Sequence, residues 1–463
     1  MLLIDHQWVK TPKKLEVRDP ATFETVGEVC VAGEKEVADA VAAARRALQN
    51  PLTTHQRSQI LRRWHQLLSE RKEEAARLIL REAGKTIREC RTEVDRALIT
   101  LQLSAEEASR LHGEVLPCDV TENPRHRYAF SIRVPLGVVA AITPFNFPVN
   151  IAVHKIGPAF AAGNAVVWKP SPKTPLCANF MGELFLETGC PPGWLNIIHG
   201  EAEAALALSK AQVHAVSFTG GTQAAEAIAR AAAGKKILLE LGGNDPVIVA
   251  EDADVEKAAE IIVAHRFGAA GQRCTSCKRV FVHASLLDPL VALLREKIGR
   301  LKRGALTDET TEIGPLISEE AAIRVERQVQ GLVAGGAKVL IGGKREKNFF
   351  WPTLLRGADP LQPECLEEIF GPVLPVYSFS SLAQVVGWVN ASPVGLQACL
   401  LTSNLEHARF LFERLEVGTL ILNDGPAFRQ ESLPFGSLKP NSTSREGVRY
   451  ALQEFSTTKT LVW

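Results

Sequence analysis

Between Gly137 and Glu240, short apolar runs alternate with stretches of helical periodicity, and this constrains the fold more than any other feature. The runs are Gly137-Val-Val-Ala-Ala-Ile, Ala165-Val-Val-Trp-Lys169, Trp194-Leu-Asn-Ile-Ile, Ala215-Val-Ser-Phe-Thr219 and Lys236-Ile-Leu-Leu-Glu240. Helices are expected from Pro148, from Pro175, near Ala202–Leu208 and through Ala232. Strands that are apolar throughout need cover on both faces. Helix-length connections between them predict an α/β fold built on a doubly wound parallel sheet. A second series follows Gly242-Gly243: Pro246-Val-Ile-Val-Ala, a helix over Ala253–Ala264, Lys278-Arg-Val-Phe-Val, a helix to Leu301, then Pro372-Val-Leu-Pro-Val-Tyr and Gly418-Thr-Leu-Ile-Leu-Asn423. Two sheets imply two domains, as a chain of 463 residues requires.

The flanks differ. Residues 1–30 alternate polar and apolar around turn signals and read as edge strands. From Gly33 to Leu111, Val37, Val41, Ala44 and Leu48, then Ile60, Leu61, Trp64 and Leu67, recur at helical spacing among charges. Three or four surface helices are expected there, their Arg, Lys and Glu on solvated faces. Gly113–Arg133, with Pro117 and Pro124, suits a hairpin excursion, and Phe455–Trp463 is again strand-like.

A formal net charge of +1 with 23% charged residues gives no field for nucleic acid or a membrane surface. The opening residues turn polar too soon for a signal peptide, and no apolar run reaches 18 residues. Nine scattered cysteines without metal-ligand spacing fit a reducing cytoplasm, and no metal site is expected.

Chemistry gathers at strand ends. Thr143-Pro144-Phe145-Asn146-Phe147-Pro148 follows a strand and opens a helix, the place where ligands sit in open α/β sheets. Asn146 could aim an amide N–H at an oxyanion, or simply cap the helix as an Asx turn. Trp168-Lys169-Pro-Ser171 ends another strand; Lys169 suits a ribose or phosphate, and equally a surface position. Phe218-Thr219-Gly220-Gly221-Thr222 precedes an Ala-rich helix whose N-terminus could hold a pyrophosphate, though the standard glycine fingerprint is absent. Glu240-Leu241-Gly-Gly puts a carboxylate at a hydrophobic strand end, where partial desolvation would suit a general base and full solvation would not. Glu367-Glu368-Ile-Phe370-Gly-Pro could hold a ribose or be only a turn. Finally, Gly268-Ala-Ala-Gly-Gln-Arg273-Cys274 delivers one cysteine beside an arginine that could favour thiolate, with glycines that allow close approach of a substrate. A core cysteine is the plainer alternative.

Taken together and in order, Pro144-Phe-Asn-Phe-Pro148, Trp168-Lys-Pro-Ser171, Phe218-Thr-Gly220, Leu239-Glu-Leu-Gly-Gly243, Gly271-Gln-Arg-Cys274-Thr, Glu368-Ile-Phe-Gly-Pro-Val373 and Pro434-Phe-Gly436 resemble the aldehyde dehydrogenase superfamily from end to end. The resemblance implies Cys274 as nucleophile on a small aldehyde, Asn146 and the Cys274 N–H around the oxyanion, and Glu240 activating water to hydrolyse a thioester. It implies NAD or NADP as cofactor, held by Lys169, Glu368, Phe370 and the turn at Gly220. It also implies a cofactor-binding domain (1–117 and 133–243), a catalytic domain (244–435) and bridging strands (118–132 and 448–463) of a homodimer or homotetramer. A CoA-acylating dehydrogenase and a catalytically idle member are the competing readings.

Several positions depart from, or refine, the family pattern. Pro172 stands where NAD-preferring members often carry Glu, which permits NADP. Ser437, Ser442 and Ser444 replace glycines, so a loop built on positive φ would have to be rebuilt; Ala225 replaces another glycine. Asn423-Asp-Gly-Pro-Ala-Phe-Arg429 resembles lactaldehyde-like and phosphonoacetaldehyde-like members, which implies Arg429 near the substrate mouth with Phe147, favouring a small or anionic aldehyde; a surface arginine is the plainer alternative. Cys274-x-x-Cys277 would suit a disulfide switch or an incidental packed cysteine.

Overall fold

The computed structural model describes residues 1–121 and 127–463. Pro124 of the expected excursion lies outside the described residues. Two seven-stranded sheets carry the chain. The first runs Lys236–Glu240, Ala215–Thr219, Val138–Ile142, Ala165–Lys169, Leu195–Ile197, Leu2–Ile4, Gln7–Val9 in spatial order. Its first five strands are parallel, and Leu2–Ile4 joins them antiparallel. The second runs Lys338–Ile341, Thr353–Arg356, Val373–Phe379, Arg279–His283, Pro246–Val249, Gln397–Leu401, Thr419–Leu422, parallel except at its first strand. Both sheets are therefore parallel at the centre and antiparallel at one edge. The alternation that predicts parallel pairing holds only where a helix intervenes; a tight turn, as between Ile4 and Gln7, forces the antiparallel sense.

Each sheet has its own apolar core. In the first, Trp64, Phe160, Phe185 and Trp194 pack edge-to-face with centroids 5.1–5.8 Å apart. The second begins at Val247, so Gly242-Gly243 falls where one core ends and the other starts. A third, three-stranded sheet pairs Ser456–Val462 and Glu114–Leu116 with Ala129–Pro135.

Two expectations need correction. Residues 448–454, expected among the bridging strands, form the helix Val448–Glu454, whose Val448, Ala451 and Leu452 complete the first core. The helices Glu34–Ala47, Thr54–Glu70, Lys72–Ala83 and Ile87–Glu107 are not charged only on solvated faces. Glu82 and Glu93 are buried, as is Lys85 between the last two. Glu82 accepts the N–H groups of Leu176 and Cys177, capping the helix Pro175–Leu186 from a neighbouring helix. Among the described residues, no helix is long and apolar enough to cross a membrane.

Candidate active site

The parallel strands of the first sheet end together, and the segments predicted from their sequence lie at those ends. After Val138–Ile142 the chain turns through Thr143, whose hydroxyl accepts the Trp168 indole N–H at 2.9 Å. Phe145 then meets Phe370 edge-to-face at 6.3 Å, bringing together two loops more than 200 residues apart in sequence. Asn146 is buried, and its amide donates to the Gln272 carbonyl at 2.9 Å. That bond leaves the second amide N–H free and ties the Asn146 loop to the loop of Cys274.

The Asn146 loop is also held from behind. Lys85 donates to the Asn146 carbonyl at 3.1 Å and to Glu93 at 2.5 Å, with its ammonium 4.0 Å from the Phe147 ring centroid. Glu93 in turn accepts Val149 and Asn150 N–H at 2.9 and 3.2 Å, the first donors of the helix Asn150–Ala161. A buried ion pair thus anchors the segment that carries Asn146. The sequence reading missed both residues, because a lysine and a glutamate in an amphipathic helical stretch look solvated.

The loop that leads to Cys274 is strained. Ala269 and Ala270 adopt φ of 49° and 51°, and Gly271 follows at 73°. Left-handed backbone at a non-glycine costs on the order of 1–3 kcal/mol per residue, so the surroundings must over-determine it. They do: Glu89 accepts the Ala269 N–H, Gln272 donates back to Ala269 O at 3.2 Å, and Ile317 donates to the Gln272 side chain at 2.9 Å. Gly271 is required because a Cβ there would run into the Gly371 carbonyl. This close approach is to the protein's own Phe370-Gly-Pro loop rather than to a substrate.

Arg273 does not serve the sulfur as expected. Its guanidinium pairs with Glu89 at 3.3 Å and lies 5.8 Å from the Phe147 ring. Burial pushes the Cys274 thiol up to about 11, and the charges that draw it back are Arg429 and Lys278. Cys277 is fully buried in the second core, where burial pushes its thiol up to about 12. It packs as a small apolar residue, which favours the incidental reading over a switch.

Glu240 is buried at the end of its strand. Burial and the neighbouring Glu446 raise its carboxyl well above the usual range, opposed by Ser442, Lys155 and Arg429. Ser442 bonds Glu240 Oε1 at 2.6 Å, while Oε2 has no partner. Ser437, Ser442 and Ser444 do not take left-handed φ; Gly436 and Gly447 do, so the serines are accommodated without backbone strain. Lys155 and Glu446, also missed, pair at 3.1 Å beside Glu240. A signal was present: Lys155 and His154 stand alone in the wholly buried helix Asn150–Ala161. Arg429 pairs with Glu446 at 3.1 Å and stacks 3.9 Å over Phe435, so its charge is committed inside this cluster.

The cofactor-side residues fit a dinucleotide. Lys169 is 5% exposed, and burial pushes its amine down to about 8, partly offset by Glu201 and Glu203. Its side-chain amine has no hydrogen bond or ion pair among the described residues, and the buried Thr219 hydroxyl is likewise unpartnered. Gly221 starts the helix Thr222–Ala231 without a side-chain cap and faces open space, leaving N–H donors for an anion. Phe218 packs beneath Gly220, and Ala225 is buried in the same helix. Ser171 accepts Lys173 N–H at 3.2 Å and Leu241 donates to Asn441 O at 3.0 Å, so these two are engaged within the chain. Glu368 is paired with Lys278, a buried residue that sequence reasoning did not single out.

The aldehyde dehydrogenase family model matches residues 8–461. The chain is 41% identical over 463 residues to the 3-sulfolactaldehyde dehydrogenase of Priestia megaterium, covering all of this chain and 97% of that one. It is 43% identical to the sulfoacetaldehyde dehydrogenase of Neptuniibacter caesariensis, over 89% of this chain and 91% of the relative. Its structure superposes with TM-score 0.96 on the NADP-dependent glyceraldehyde-3-phosphate dehydrogenase of Bacillus halodurans complexed with NADP, at 34% identity, over 100% of this chain and 98% of that one. These relatives do not favour the CoA-acylating alternative. The chain belongs to the aldehyde dehydrogenase family, and its activity is the NAD(P)-dependent oxidation of an aldehyde.

Proposed function

We propose that Cys274 adds its sulfur to the carbonyl of a small aldehyde carrying an anionic group, and that Glu240 then activates water to hydrolyse the resulting thioester. The bond from Asn146 to the Gln272 carbonyl carries the first part. It fixes the free amide N–H against the nucleophile loop, where it and the Cys274 N–H can hold the oxyanion; such a donor is worth about 10²–10³ in kcat. Bound NAD(P) supplies the hydride acceptor, with Lys169, Thr219 and the turn at Gly220-Gly221 as its holders. Pro172, with no carboxylate to repel a 2′-phosphate, supports use of NADP as well as NAD.

The anionic substrate class is supported by a cavity of about 660 Å³ between the helix Ile87–Glu107 and the nucleophile loop, which adjoins Cys274 through Arg273 although Cys274 itself does not line it. Arg88, Arg96 and Arg273 line it beside Phe147. Arg88 pairs with no carboxylate among the described residues, and Arg96 donates to Glu431 only through Nε. The cavity's own acids are already occupied: Glu89 by Ala269 N–H and Arg273, Glu93 by Lys85, Glu260 by Lys297, and Glu312 by Lys302 N–H. Anion recognition therefore falls to Arg88 and the remaining guanidinium nitrogens of Arg96 more than to Arg429 and Arg273, which Glu446 and Glu89 neutralise. The test is reduced-cofactor formation with matched aldehydes of equal length, ending in sulfonate, carboxylate or hydroxyl. The anionic pair should show the higher kcat/KM, by tenfold or more. Equal values for the neutral aldehyde would end the substrate assignment while leaving the chemistry of Cys274 intact.

The organisation follows the same reading: residues 1–117 and 133–243 bind the cofactor, 244–435 bear the nucleophile, and 118–132 with 456–462 bridge subunits. Val115, Ile132, Leu461 and Trp463 are exposed on the three-stranded sheet, apolar surface that supports a homodimer or homotetramer. Nine free cysteines support a reducing, cytoplasmic setting.

A further inference from the structure

Ser442 stands in the loop where three serines replace glycines, and its hydroxyl lies within bonding distance of two different oxygens. One is Glu240 Oε1 at 2.6 Å; the other is the Ser444 carbonyl at 2.8 Å. A hydroxyl has one proton and two acceptor sites, so it cannot donate to both at once. The geometry resolves if the donor direction follows the charge on Glu240. We propose that Ser442 is a positioning residue for the base: it donates to Glu240 as carboxylate and accepts from Glu240 as acid, turning its own proton to the Ser444 carbonyl.

This inference rests on the reading of Glu240 as the deacylating base. In that step the water oxygen bonds to the thioester carbon and a water proton passes to Glu240. The C–S bond then breaks, with its electron pair leaving on the Cys274 sulfur. The carboxyl changes charge during the reaction, yet its Oε1 keeps Ser442 as a partner in both states. Without Ser442, the newly formed acid would sit buried beside Glu446 with no acceptor for its proton. The other charged groups facing Glu240 are Lys155 from the helix Asn150–Ala161, Glu446 just beyond the strap formed by residues 437–444, and Arg429. Lys155 and Arg429 are both engaged by Glu446, so neither replaces the hydroxyl. The strap holds Ser442 in place on both sides, through Leu241 N–H to Asn441 O at 3.0 Å and Thr443 N–H to Leu239 O at 3.1 Å.

The test reads deacylation directly. The protein is acylated with p-nitrophenyl acetate, excess ester is removed, and decay of the acyl-enzyme is followed as a function of pH. The base acts as carboxylate, so deacylation falls on the acidic side of its titration. Ser442 favours the carboxylate by donating to it; its loss raises the titration and moves the acidic limb to higher pH. A hydrogen bond to a charged group corresponds to a displacement of about one pH unit, or about tenfold in rate on that limb. Ser442→Ala should show this displacement and Ser442→Thr, which keeps the hydroxyl, should not; thermal melts report whether each is folded, and Ser442→Gly replaces the alanine variant if it is not. An acidic limb in Ser442→Ala that coincides with the parent overturns the inference and spares the base. Unchanged deacylation in Glu240→Gln overturns both.

Discussion

Replacing Lys85 by methionine isolates the buried support of the Asn146 loop. The Lys85 and Glu93 side chains are 2% and 0% exposed, and the ammonium bonds Glu93 and the Asn146 carbonyl together. Methionine preserves most of the stem's packing, so the loss is electrostatic. Glu93 would remain an ion in the interior, with only the Val149 and Asn150 N–H groups to stabilise it. Breaking a buried pair from one side costs about 3–5 kcal/mol, whereas replacing both partners is far milder because no charge is stranded. Lys85→Met should therefore lose about 3–5 kcal/mol in urea unfolding followed by tryptophan fluorescence, and Lys85→Met with Glu93→Gln should recover more than half of it. The amide introduced by Glu93→Gln could still meet the helix N–H groups through its oxygen. The Asn146 carbonyl stays without its donor in both variants, so kcat should remain depressed even where stability returns. A single variant within about 1 kcal/mol of the parent, or a double variant less stable than the single, would refute the assignment of Lys85 and Glu93 as a buried ionic anchor.

Alkylation of Cys274 by iodoacetamide in the cofactor-free protein should accelerate with pH well past neutrality, because only the thiolate reacts and burial pushes the thiol up to about 11; Arg429→Gln, which removes a charge favouring thiolate, should slow it further at any fixed pH below that titration. A plateau near neutrality would contradict this. Pro172→Glu should raise KM for NADP at least tenfold while leaving KM for NAD within about threefold, since only the former carries a 2′-phosphate to be repelled; equal changes for both would refute the role given to this position.

The sequence made the site's strand ends legible for a physical reason. Buried parallel strands are continuous apolar runs, and polar residues that interrupt their ends, such as Thr143, Lys169, Thr219 and Glu240, stand out against them. The strained loop was legible in composition but not in cause. Gly271 reads as room for a substrate, whereas the structure shows it making room for the Gly371 carbonyl. Charge partners were the least legible. Nothing local distinguishes Arg273 aimed at Cys274 from Arg273 aimed at Glu89, because the partner lies 184 residues away. Lys85, Glu93, Lys278 and Glu446 are concealed in the same way, each burial depending on a neighbour supplied by another part of the chain. The serines of 437–444 misled by analogy: a lost glycine matters only where its φ is positive, and here the left-handed positions are Gly436 and Gly447.

The strap that carries Ser442 has a mechanical consequence. On one side Ser437 bonds the Gly395 carbonyl and Lys439 the carbonyls of Asn390 and Ser392, all in the second sheet's body. On the other, Asn441 and Thr443 are laced to Leu241 and Leu239 of the first. The segment works as a tie rod between the two bodies, with the side chain that touches Glu240 set within its lacing to the first. A hinge that widened the cleft would have to stretch the rod, break its lacing or drag the Glu240 strand along. Cleft opening and the resting place of the carboxylate are thereby geared to each other, and a residue added or removed between Ser437 and Thr443 would change both at once.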